Sequence, residues 1–168
     1  MHGTNMILEA KAEDCCSRTY VLKLNNQAIG SIQGRFMSEG LDLALTGRQR
    51  LKLDKASWLS SHFQLKDAES DEVLVEARAA GMFRAGWNLT LASGPATFTR
   101  AGFFKTGYEI RRGGQLLGTV DRLGLCERGW RVQKISDDLT APDLILAGVI
   151  YHIIKKREEQ AAAAAHGS

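Results

Sequence analysis

Eleven residues near the C-terminus, Leu144-Ile-Leu-Ala-Gly-Val-Ile-Tyr-His-Ile-Ile154, are apolar on every face apart from His152. Ahead of them Thr140-Ala-Pro142-Asp143 has the form of a helix start: a threonine cap, a proline in the first turn, and an acidic residue three places on. That is the spacing of a capping box, with Asp in place of the commoner Glu. The pattern predicts a helix over about 141–157. A helix with no polar side has no face to show to water and must be covered. At about 1.5 Å per residue the apolar stretch spans roughly 16 Å, half of the ~30 Å hydrocarbon core of a bilayer, so a membrane span is not expected. The helix has to be enclosed by the rest of the chain. Lys155-Lys156-Arg157 then falls where it emerges, and cations there suit the negative end of its dipole. The Ala-rich, low-complexity segment 158–168 is expected to prolong the helix and fray.

The preceding residues supply the enclosure. From Met6 to about Ile135 apolar residues recur at every second position, as in Tyr20-Leu22-Leu24, Leu41-Leu43-Leu45, Leu51-Leu53, Val73-Val75, Trp87-Leu89-Leu91 and Trp130-Val132. Period two marks strands with one buried face. Short turn signals separate them: Asn25-Asn26, Glu39-Gly40, the acidic stretch Asp67 to Glu72, Ser93-Gly94-Pro95 and Gly113-Gly114. Antiparallel hairpins in series follow, and no linker interrupts them, so residues 1–157 are expected to form one domain. Strands with one apolar face and a helix that is apolar all round satisfy each other if the sheet closes around the helix. The fold expected is therefore mainly β, a closed antiparallel barrel threaded by its own C-terminal helix.

One segment is repeated. Tyr20-Val-Leu-Lys-Leu-Asn-Asn-Gln-Ala-Ile-Gly-Ser-Ile32 aligns without gaps on Tyr108-Glu-Ile-Arg-Arg-Gly-Gly-Gln-Leu-Leu-Gly-Thr-Val120, and a looser third copy runs from Phe63 through Asp67 into Val73 to Glu76. Asn-Asn and Gly-Gly both suit the positive φ angles of a tight hairpin turn. The Tyr-x-Ile-x-x-Gly-Gly-x-x-x-Gly-x-Val unit ending at Val120, the strand Trp130-Arg-Val132 and the run from Asp143 through Ile154 together resemble the tubby C-terminal-like superfamily. Within it the likeness is to the LURP-one-related and phospholipid scramblase branch. The resemblance implies a closed antiparallel barrel of about twelve strands around a central hydrophobic helix. It does not imply one activity: tubby-type members bind phosphoinositides, scramblase-type members are membrane-associated, and many others have no assigned role.

Composition excludes several classes. The chain has 168 residues, 44% apolar and 24% charged, with 17 Gly and 2 Pro, which is neither a disordered nor a collagen-like balance. Its 22 basic and 19 acidic residues leave +3, too little for a domain built on nucleic acid. Three cysteines, Cys15, Cys16 and Cys126, fit neither a disulfide framework nor a zinc site, so a reducing compartment is expected. Without a charged-then-apolar leader in the sequence given, the expected location is cytoplasmic, peripheral to a membrane if it binds one.

Nucleotide and hydrolase motifs are absent, and no enzyme is expected. Ser60-Ser61-His62 offers a nucleophile and a base, yet only Ser60 shares a strand face with His62 and no acid is identified. His152 is expected to be a hydrogen-bonded core imidazole. Asp67-Ala-Glu-Ser-Asp-Glu72 lacks the glycine of a calcium loop and reads as a solvated hairpin tip. No metal or cofactor is expected. The basic clusters carry the functional expectation: Arg48, Arg50 and Lys52 on one face of a strand, Arg111 and Arg112 beside a turn, and Lys155, Lys156 and Arg157 at the helix end. Such groups can hold lipid phosphates or other anions. The expected partner is an anionic phospholipid or membrane surface, with a protein partner as the alternative.

Overall fold

The computed structural model describes residues 5–35, 37–57, 59–81, 86–102 and 106–167. Twelve strands precede one helix: β1 Ile7–Ala12, β2 Thr19–Leu24, β3 Gln27–Gly34, β4 Leu41–Leu45, β5 Arg50–Lys55, β6 His62–Asp67, β7 Val73–Ala79, β8 Trp87–Leu91, β9 Gly94–Arg100, β10 Tyr108–Arg112, β11 Gln115–Arg122, β12 Gly129–Lys134, and α1 Ala141–His166. Each strand pairs antiparallel with its neighbours in sequence, and β12 pairs with β1 over Ile7↔Gln133 to Lys11↔Gly129, which closes the barrel. Closure leaves no sheet edge unpaired, so every strand sends one face to the helix and the other outward. The alternation is visible strand by strand: Leu8, Leu22, Leu43, Leu53, Leu65, Leu89, Ile110 and Val132 are buried, while the residues between them are partly or fully exposed.

The repeated segment is one structural unit used three times. β2–β3 and β10–β11 share their register residue for residue, with Tyr20↔Ile32 matching Tyr108↔Val120 and Leu22↔Gly30 matching Ile110↔Gly118. Both carry a bulge at the same place, after Leu22 and after Ile110, and the β6–β7 hairpin carries one after Leu65. A bulge bends its strand and increases the local twist, which helps a sheet curl into a closed wall. It also corrects one expectation. Val73 does not share the inward face with Val75: the pairing skips from Leu65↔Val75 to Lys66↔Val73, and Val73 is exposed.

The helix fills the barrel. Leu144 through Tyr151 and Ile153 are buried, and the start signal acts tertiarily as well as locally: the Asp143 carboxylate accepts hydrogen bonds from the Thr140 N–H (2.8 Å), the Thr140 hydroxyl (2.9 Å) and the Ala92 N–H of the β8–β9 turn (3.0 Å). Helical geometry runs on to His166, nine residues past Arg157, with those residues exposed. The strand directions give the barrel two unlike ends. Around the helix start lie hairpin turns of two to five residues; around the helix exit lie connections of six or seven.

Candidate functional site

The expected basic residues do not gather in one patch. Arg48 and Arg50 lie at the turn end, and Arg48 sits before β5 in a turn with φ of 67°, so it does not share a strand face with Arg50 and Lys52. Lys52 projects from the outer wall and pairs with Asp71, with Asp54 also 3.7 Å away. Arg111 and Arg112, also at the turn end, are engaged. Arg111 donates to Glu109 at 2.7 Å, and Arg112 to the Pro95 carbonyl at 2.9 Å and the Ser93 hydroxyl at 2.9 Å. The helix-end cluster stands at the opposite, loop end. There Arg157 makes a two-pronged pair with Glu39 (2.6 and 2.8 Å) and donates to Ser61 Oγ, while Lys155 pairs with Glu158. Lys156 is exposed and has no partner among the described residues.

Ser60-Ser61-His62 is likewise divided. His62 Nε2 lies 2.9 Å from Glu76, an acid supplied by β7 across the ladder, but Ser61 accepts from Arg157 and Ser60 donates to the Ser57 carbonyl. Neither serine touches the imidazole among the described residues. The acidic hairpin tip is folded on itself, with Asp67 Oδ1 accepting from the Glu69 and Ser70 N–H groups and the Ser70 hydroxyl. These contacts hold its carboxyl below the usual range. No cluster of three or more potential metal ligands occurs among the described residues.

What does form at the loop end is a cavity of about 810 Å³ between the last buried turns of α1 and the wall made by the β1–β2, β3–β4 and β11–β12 connections. Six basic side chains line it: Arg18, Arg35, Arg122, Arg128, Lys155 and Lys156. Three carboxylates do so as well, and two are occupied, Glu39 by Arg157 and Lys55 and Glu127 by Lys11. The cavity therefore carries three positive charges in excess, equal to the net charge of the whole chain. Arg35 is matched by Asp42 and Asp54. Arg128 has no carboxylate among the described residues; it donates to the Cys15 carbonyl (2.8 Å) and to the Tyr20 hydroxyl (3.2 Å).

Four of these cations, Arg18, Arg35, Arg122 and Arg128, are absent from the sequence reading because no two belong to one run. A signal was available. In a meander every alternate connection opens at the same end, so counting hairpins back from the helix exit would have collected them. His152 corrects a second expectation. It lines the cavity, its ring meets Tyr20 edge-on at 4.9 Å between centroids, and its nitrogens make no hydrogen bond among the described residues. Burial first, then Lys156 and Arg128, push its pKa down to about 4, so the imidazole is neutral at physiological pH. The repeated Tyr108 does the analogous thing on the other side, meeting Tyr151 edge-on.

No protein-family model and no curated protein matches this chain. Among solved structures, the X-ray structure of an Arabidopsis thaliana protein is similar, with a TM-score of 0.63 over 90% of this chain and 91% of that one at 10% identity. The likeness is one of fold. Among the described residues no helix is long and apolar enough to cross a membrane.

Proposed function

We propose that this chain is a non-enzymatic tubby-like domain, of the LURP-one-related and scramblase-like kind, that binds an anionic phospholipid headgroup at the loop end of its barrel. The observation that carries the reading is the cavity lined by six basic side chains, with Lys156 unpaired and Arg128 facing no carboxylate among the described residues. Cations gathered in a concave, partly apolar site focus the field on anions and raise their local concentration. The charge is local, so a membrane contact would be end-on, through the loop end. Met37 and Leu125 stand on the rim of the same cavity at 89% and 86% exposure, a mixture of apolar tips and cations suited to a bilayer interface. On this reading the protein is cytoplasmic and peripheral.

Flotation with phosphatidylcholine vesicles, with and without anionic lipid, at physiological salt tests it. The protein should float with the anionic vesicles and stay behind with the neutral ones; equal behaviour with both would overturn the proposal. A second reading, a scaffold domain that binds protein, is favoured by Leu59, which is 76% exposed on the β5–β6 connection and outside the cavity. It predicts no vesicle preference and loss of partner capture in Leu59→Ser.

A further inference from the structure

Within the cavity one group of side chains is poised around a shared space. Tyr20 comes from the wall and His152 from the helix, with ring centroids 4.9 Å apart. Arg128 donates to the Tyr20 oxygen at 3.2 Å, which leaves the phenol's own proton without an acceptor among the described residues. Lys156 follows His152 by one helical turn, on the same face of α1. The group thus holds two cations with no carboxylate bound to either among the described residues, a neutral imidazole and a phenol whose proton has no acceptor there. Tyr20 is buried and His152 partly buried, whereas Arg128 and Lys156 are exposed at the mouth of the cavity, open to an incoming ligand. One carboxylate, Glu159, also lines the cavity three residues beyond Lys156 and is felt by the Tyr20 phenol; it sits at the exposed outer margin.

We infer that Arg128, Lys156, His152 and Tyr20 form a cradle for one phosphate monoester, the same cavity read above as a headgroup site. The inference rests on that reading for its location and adds the chemistry of the ligand. Two positive charges match the charge of −1.5 to −2 on such a group near pH 7. Donors arriving from the helix and from the wall suit the several terminal oxygens of a tetrahedral phosphate, and with Arg128 Nη1 already donating to the Cys15 carbonyl the guanidinium offers no free fork for a two-pronged carboxylate. The crowding of Arg128 and Lys156 about His152, which helps to keep that imidazole unprotonated, is relieved when the anion enters.

The ester can be soluble or carried by a lipid, and the test separates the two. Glycerol 3-phosphate is titrated calorimetrically into the full chain, and vesicles containing phosphatidic acid are compared with vesicles containing phosphatidylserine, a diester, at equal charge. Lys156→Gln is expected to weaken phosphomonoester binding at least tenfold without a shift in melting temperature, because Lys156 is exposed and unpaired. His152→Phe, which keeps the ring and removes its N–H, should weaken it as well, and Glu159→Gln should strengthen it. Lys23→Gln, an equal charge change on the outer face of β2, should leave it unchanged. Binding of both ester forms supports the cradle with either source as ligand; binding of phosphatidic acid vesicles alone assigns the ester to a lipid. Equal weakening by Lys23→Gln and Lys156→Gln would overturn the cradle in favour of a diffuse field. Flotation on phosphatidylserine and phosphatidic acid vesicles without distinction would overturn the cradle and leave the headgroup reading standing; binding of glycerol 3-phosphate without flotation on either would keep the cradle for a soluble ester and overturn the headgroup reading, and failure of both assays would remove both.

Discussion

Gly148 lies in the middle of α1, in a run that would otherwise favour alanine, and the Trp130 indole occupies the space a side chain would take. A Cβ at position 148 would overlap Cζ3, Cη2 and Cε3 of that ring, the farthest of the three at 2.6 Å. Non-bonded carbon atoms rest at about 3.5–4.0 Å, so the ring would have to move by about an ångström or more. The ring is almost wholly covered: Trp130 is 2% exposed and lies in the wall that closes the barrel through β1–β12 pairing, with the loop-end cavity bordering it on one side. Two effects oppose each other in Gly148→Ala. Helix propensity favours Ala by about 1 kcal/mol. Overpacking a tight core costs about 1–3 kcal/mol, and an overlap this deep with a buried aromatic ring belongs at the upper end. The net is a loss of about 2 kcal/mol, read as a lower urea midpoint with an unchanged m-value. Gly148→Ala combined with Trp130→Leu should recover part of the clash, giving a favourable coupling of about 1 kcal/mol or more in a double-mutant cycle. If Gly148→Ala alone proves as stable as the parent or more so, propensity has won, and the helix does not pack on Trp130 at the distance described.

Other perturbations probe the same architecture. Val149→Asp places a charge without a partner at a fully buried position, and should abolish cooperative unfolding or cost more than about 4 kcal/mol by circular dichroism melts. Asp143→Ala leaves the Ala92 and Thr140 N–H groups without their acceptor and should lower stability by about 2–4 kcal/mol in urea unfolding, with the helix start and the β8–β9 turn loosening together in hydrogen exchange. His152 makes stability pH-dependent with a definite sign. Its folded pKa, about 4, lies below the ordinary value of 6.5, so the unfolded chain binds the extra proton, and stability is full above pH 6.5 and falls as pH drops toward 4. The slope can reach about 1.4 kcal/mol per pH unit in that window and should flatten in His152→Gln; an unchanged slope would mean the ring is not enclosed. Acid destabilisation below that window has a separate source in Glu39, whose carboxyl is held below its usual range chiefly by its hydrogen bond with Arg157.

Much of the barrel was legible because its information is local. Alternation over a few residues decides which face of a strand is apolar, and the turn residues Asn25 and Asn26, with φ of 48° and 69°, fix one of the hairpins. The repeat was legible to the level of register, since residues aligned by type also pair alike. Bulges were not, because an extra residue on one strand is defined only by its partner, and this is why Val73 was placed on the wrong face. The site was less legible than the fold. Lys155, Lys156 and Arg157 were visible as a run, but whether a cation is free depends on which carboxylate lies opposite, as with Arg157 and Glu39, 118 residues apart in sequence.

That α1 is apolar all round and that strands with one apolar face precede it follows from residue order, and burial of apolar surface then requires the strands to enclose the helix. Tertiary structure alone decided that β12 meets β1, that Trp130 fills the space left by Gly148, and that Asp143 ties the helix start to Ala92. It also decided which cations stand together. Arg18, Arg35, and the pair Arg122 and Arg128 arrive at the mouth on three different connections, and their meeting with Lys156 and His152 depends on strand direction and barrel closure. The physical reason is range: propensity and periodicity act over a few residues, whereas charge compensation and packing act through space between segments that no local pattern links.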